Sequence, residues 1–192
     1  MATTDDIRSF ALGAAPLAAA VANYCDHVEH NESAKTAWVV DAGDELARLA
    51  LEFAQSQGLD LIDSYAERLA MIEVRNVLVA PGSFDGRAAA RAAQTWRDLQ
   101  LVQAKHDLCY HPDVVGMSKY DQLRHYAFHL AKLVGAFADA REEHELFKRR
   151  LPDALLFAIK LRTVMGVHLA DDPLPPRSTD EPAQDKCARP RA

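Results

Sequence analysis

The chain has 192 residues, 49% of them hydrophobic and 26% charged, with a formal net charge of −6. That length supports one well-buried core or two small intertwined halves. The acidic balance argues against a broad nucleic-acid-binding face. Cys25, Cys109 and Cys187 lie far apart with no Cys-x-x-Cys spacing, so they read as free thiols in a reducing cytoplasm. No uninterrupted apolar run reaches the ~18 residues of a membrane span, and the opening Thr3-Thr4-Asp5-Asp6 is acidic where a secretion signal would be basic.

Alanine and leucine dominate while glycine is sparse, a composition that favours helix. Thr4-Asp5-Asp6 predicts the start of a first helix running toward His30, with a kink or restart at Pro16. Ser33 is positioned to cap a second helix over 35–57, in which Trp38, Leu46, Leu49 and Phe53 recur at helical spacing and which Gly58 ends. Asp63 or Ser64 opens a third helix through Leu78. The segment from Ala80 to Gly86, with Pro81, Gly82 and Gly86, is the clearest breaker. A helix over 87–108 follows, then an ordered loop to Ser118, a helix over 119–140, and a last helix over 141–166, bent near Pro152.

The breaker divides the chain into an N-terminal helical half, 1–80, and a second half, 81–170. Residues 171–192 are proline-rich and charged, with too little apolar surface to offset their ordering entropy, and read as a disordered tail. A faint repeat relates Glu45–Leu61 to Asp153–Leu169. Both are amphipathic helices ending in Gly, an apolar residue, a polar residue and Leu. Duplication and a common helix-ending pattern both account for it.

His125 and His129 are four apart on one helix, the spacing that lets two imidazoles reach one metal. His106, His111 and Asp113 approach from the preceding segment, with Asp107 and Asp121 also available. A zinc or iron site can be drawn from these residues. The alternative is histidines hydrogen-bonded at a helix interface, because the glutamate of His-Glu-x-x-His is replaced by Tyr126. His27, Glu29, His30 and Glu32 read as a solvated helix end.

The order of the helices, with Lys132-Leu133-Val134-Gly135-Ala136 on one, Arg150-Leu151-Pro152-Asp153 opening the next and Gly166-Val167-His168-Leu169 closing it, resembles the MazG-like all-α nucleoside triphosphate pyrophosphohydrolases. Gln94 to His106 resembles that family's opening helix. The resemblance implies an antiparallel helical bundle built of two degenerate halves, a nucleotide ligand and a homodimer. It also implies magnesium held by clustered glutamates, because a hard divalent ion takes oxygen ligands and bridges substrate phosphates. Here the motif-one glutamates correspond to Lys132, Leu133 and Ala136, and the motif-two glutamate to Arg150. Only Asp153 survives. The expectation is therefore a divergent, non-catalytic relative, with Lys132, Arg150 and Asp153 as ligand-binding candidates and the cations meeting phosphate directly. Two alternatives stand beside it: a hydrolase with a rebuilt His/Asp metal site, and a purely structural helical homodimer.

Overall fold

The structure is a computed structural model that describes residues 3–76, 84–139 and 144–175. Thr3 starts the first helix. Its hydroxyl accepts from the Asp6 N–H at 3.2 Å, and the Asp6 carboxylate accepts from the Thr3 N–H at 2.7 Å, a reciprocal capping box. This helix, α1 (Thr4–Glu29), passes through Pro16 without the predicted restart. Pro16 lies on the solvent-exposed face of the helix.

The second helix, α2 (Thr36–Ser56), begins at Lys35 with no side-chain cap, so Ser33 does not take the role predicted for it. Asp60 caps α3 (Leu61–Arg75) by accepting from the Asp63 N–H at 2.9 Å. The single helix predicted over 87–108 is two: α4 (Gly86–Ala92) and α5 (Trp96–Tyr110). The break has a local cause. Thr95 and Asp98 form a second capping box that restarts the helix. A short turn, α6 (Pro112–Val115), leads to α7 (Lys119–Asp139), whose first turn Ser118 caps through the Asp121 N–H. The last helix is α8 (His144–Val164). All the described secondary structure is helical apart from one isolated bridge, and no described helix is long and apolar enough to cross a membrane.

The centre of the fold is α8. From Leu151 to Leu161 nearly every residue is buried, as a helix apolar on all sides requires. It packs against α2, α3, α5 and α7, while α1 packs on α7 and α2. Helices from before and after the 77–83 segment therefore share one apolar core, in which Leu46, Leu69, Leu99, Leu123 and Leu155 are fully buried. At Gly43 α2 lies close against α8: a Cβ there would be 3.2 Å from the Ala158 carbonyl oxygen.

The helices α2 and α8 end alike. Gly58 (φ 65°) and Gly166 (φ 72°) take the left-handed conformation. The Leu59 N–H reaches the Ala54 carbonyl, and the Val167 N–H reaches the Arg162 carbonyl, in the same Schellman closure. Beyond α8 the chain does not leave the body at once. The Leu174 N–H donates to the Gln94 carbonyl at 2.9 Å, and the Trp96 and Arg97 N–H groups donate to Asp172 and Ala170. Ala170 and Asp172, the latter in the segment read from sequence as a disordered tail, thus satisfy donors of the first turn of α5. The rest of that segment, with Cys187, lies outside the described residues. Cys25 and Cys109 are free thiols.

Candidate functional site

A cavity of about 400 Å³ opens where α3, the α5–α6 corner, α7 and α8 meet. Each element presents one face to it. On α8, Arg150, Asp153, Phe157 and Lys160 recur at intervals of three and four residues and so share one stripe of the helix. On α7, His125, Tyr126, His129, Lys132, Leu133 and Ala136 form the facing stripe. Arg68, Ile72 and Arg75 come from α3, and His111 and Asp113 from the corner. Five of the lining side chains are Lys or Arg and two are Asp, in a chain that carries 22 basic and 28 acidic residues. The lining reverses the sign of the whole molecule, which focuses positive potential in the cleft.

Two buried carboxylates hold cations in place. Asp153, its side chain 7% exposed, accepts from Arg68 Nε at 2.5 Å and Arg68 Nη2 at 3.2 Å, and from Arg150 Nη1 at 3.4 Å. Asp107, on α5 behind the cavity, accepts from Lys160 Nζ at 2.8 Å and from Gln103, which in turn accepts from the Tyr65 hydroxyl. Burial alone would push the Asp107 carboxyl up. The neighbouring His106 ring and Lys160 ammonium overcome it and hold the carboxyl below its usual range. Among the described residues neither Lys132 nor Arg75 has a carboxylate partner.

The middle of the cavity is aromatic. Phe157 stacks on His129 with centroids 5.4 Å apart and planes at 29°, and the Tyr126 ring lies 6.0 Å from Phe157. The His125 and His129 rings are 4.6 Å apart. Burial lowers the pKa of His111, His125 and His129, and Lys160 lowers each further. For His129, His125 and Lys132 add to the effect. Each of these effects favours the neutral imidazole.

The sequence-derived residues are placed as follows. Lys132, Arg150 and Asp153 come together in this cavity, and so do His111, Asp113, His125 and His129. His106 does not join them. It is fully buried behind the cavity, with Nε2 3.6 Å from Glu73 and Nδ1 4.0 Å from Asp107, both too long for hydrogen bonds. Among the described residues no group of three or more His, Cys, Asp or Glu side chains is arranged to hold a metal ion. Of the zinc or iron constellation drawn from His125, His129, His106, His111 and Asp113, His106 faces a different neighbourhood and His129 stacks on Phe157. Magnesium fits no better. The one carboxylate at the motif positions, Asp153, is committed to arginine, and a hard cation beside Arg68, Lys132 and Arg150 would meet like charge. At the His27–Glu32 end of α1, Glu29, His30 and Glu32 are exposed, His27 Nδ1 lies 2.9 Å from a Glu32 carboxylate oxygen, and Tyr120 donates to Glu29.

Sequence reasoning missed Lys160, Phe157 and Arg68 as cavity residues. The available signal was the periodicity of α8: Arg150, Asp153 and Lys160 interrupt an apolar run at spacings that share one helical face. Comparison with protein-family models, with curated proteins and with solved structures finds no match to this chain.

Proposed function

We propose that this is a MazG-like helical protein that binds a small phosphate-bearing ligand of nucleotide type, directly through cationic side chains and without a metal. One observation carries the reading. Lys132, Leu133 and Ala136 from α7, and Arg150 and Asp153 from α8, all line one cavity. These are the five positions at which the resembling family places its metal-binding acids. Their convergence is what the resemblance requires, and their altered chemistry is what directs the cavity toward anions. Guanidinium forks at Arg68 and Arg150 suit phosphate oxygens. Buried Asp153 holds both in position before any ligand arrives, which lowers the ordering cost of binding. The Phe157–His129 face suits a planar ring.

A thermal-shift screen across nucleoside mono-, di- and triphosphates, run in excess EDTA, tests the proposal. A ligand at 100 times its Kd adds about 2.7 kcal/mol to the folded state, which at this chain length raises Tm by roughly 5–10 °C. No shift with any nucleotide or with inorganic phosphate would defeat the reading and favour the purely structural alternative. Self-association of the kind the resemblance implies is part of the same proposal. Phe128 (72% exposed) and Leu108 (61% exposed) supply apolar surface for it, and sedimentation velocity at micromolar concentration reports a dimer or a monomer.

A further inference from the structure

Cations line both ends of the cavity, and aromatic rings separate them. At the first end Asp153 gathers Arg68 and Arg150, and Lys132 lies on the same side, since His129 one turn before it feels both Lys132 and Asp153. Lys160 stands at the second end, ten residues and roughly 15 Å of axial rise from Arg150 along α8. Arg75 belongs with it. Glu73, two residues earlier on α3, lies 3.6 Å from His106, the neighbour of the Asp107 that holds Lys160. Arg75 is thus roughly 10 Å of axial rise beyond Arg68, toward Lys160. Between the two ends lie the Phe157, His129 and Tyr126 rings.

The carboxylates near the second end do not cancel its charge. Asp107 sits behind the wall rather than in it, so the cavity meets the ammonium of that pair. Lys160 Nζ lies 5.7 Å from the Tyr126 ring centroid and 6.0 Å from that of Phe157. Asp113 is exposed, and solvent screens it as it screens Arg75. The imidazoles along the cavity register the balance. At His125, Lys160 outweighs Asp113. At His111, Lys160 outweighs Asp107 and His106 outweighs Asp113. At His129, each of His125, Lys132 and Lys160 outweighs Asp153. The potential is therefore positive from one end of the cavity to the other.

We infer that the cavity holds a ligand with an anionic group on each side of a planar ring, a phosphate at Arg68, Arg150 and Lys132 and a carboxylate at Lys160 and Arg75. The inference rests on the phosphate-binding reading above and names its ligand class: a phosphorylated aromatic or heteroaromatic carboxylic acid, such as a nucleotide whose base bears a carboxylate. The distribution of charge sets which group goes where. Three cations against Asp153 suit the dianionic phosphate. Two cations, one exposed and one partly offset by Asp107, suit a monoanion, and imidazole N–H groups of His111 and His125 add donors to it.

Two probes that differ only in the second group test this: 4-carboxyphenyl phosphate and its neutral analogue 4-carbamoylphenyl phosphate, titrated calorimetrically into the full chain at pH 7.5 with EDTA. The carboxylate binds about tenfold more tightly than the amide, the gap between a charge-assisted and a neutral hydrogen-bonded contact. Lys160→Gln combined with Asp107→Asn removes both charges of the buried pair without leaving one unpaired, and the gap closes. Arg75→Gln, at an exposed side chain, narrows the gap independently, whereas Lys132→Ala weakens both probes alike. If the amide binds as tightly as the carboxylate, or if the gap is unchanged in both far-end variants, while both probes still lose affinity in Lys132→Ala, the two-ended seating is overturned and the phosphate-binding reading survives. If neither probe nor inorganic phosphate binds, both fall.

Discussion

Replacing Arg68 by Met removes the main partner of a buried carboxylate. Asp153 and Arg68 side chains are 7% and 13% exposed, and the guanidinium supplies two of the three hydrogen bonds that Asp153 receives. Breaking a buried pair from one side costs about 3–5 kcal/mol, because the remaining charge stays desolvated. Arg150 recovers part of that: its side chain is 38% exposed and its contact is 3.4 Å long. A loss near 3 kcal/mol is expected, equivalent to a Tm lower by roughly 6–12 °C for a chain of this size. The double change Arg68→Met with Asp153→Leu removes both charges and fills similar volume, so it should cost less than about 1 kcal/mol. Urea denaturation of the wild type, both single variants and the double variant closes the cycle. Single-variant losses under about 1 kcal/mol, or losses that simply add in the double variant, would refute the claim that Asp153 is held as a buried arginine partner.

Other predictions follow from the same geometry. His111, His125 and His129 have folded pKa values below the unfolded value, so between the two the unfolded chain binds more protons and stability rises with pH. Tm should therefore fall as pH drops below about 6.5, and His125→Gln with His129→Gln should flatten that fall. Asp107 is depressed, so its contribution is present above the ordinary carboxylate range and is lost at more acid pH, as a second step in the acid-unfolding profile. Gly166→Ala, at φ 72° with nothing near the added methyl, should cost about 1 kcal/mol from backbone conformation alone. Gly58→Ala should match it if the two helix ends are equivalent. Gly86→Ala brings a Cβ to 2.6 Å from Glu73 Oε1 and 2.9 Å from the His106 ring, so it should cost more than either, read by chemical denaturation.

The helices were legible because their signals are local. Gly58 and Gly166 mark their helix ends in sequence, and the structure uses both. The division of 87–108 was missed because Thr95 and Asp98 form a capping box inside an Ala-rich run that otherwise propagates helix. At Pro16 the helix continues rather than restarts, on an exposed face where solvent reaches the backbone group left without a donor. At the cavity, the family comparison named Lys132, Arg150 and Asp153 and the histidine spacing named His125 and His129. What sequence did not reveal was the pairing. Asp153 meets Arg68 across 85 residues, and Lys160 meets Asp107 across 53, and no periodicity within one helix encodes a partner on another. Likewise the four-residue spacing of His125 and His129 sets a shared face but not where the rings point.

The central claim is that phosphate meets side-chain cations here without a metal. Calorimetric titration of a nucleoside monophosphate into the wild-type chain and into Lys132→Ala with Arg150→Gln, each in excess EDTA and again in excess magnesium, tests it most directly. The predicted result is saturable binding to the wild type with the same Kd in both buffers, lost in the variant. Binding that appears only with magnesium, or that survives in the variant, would contradict it.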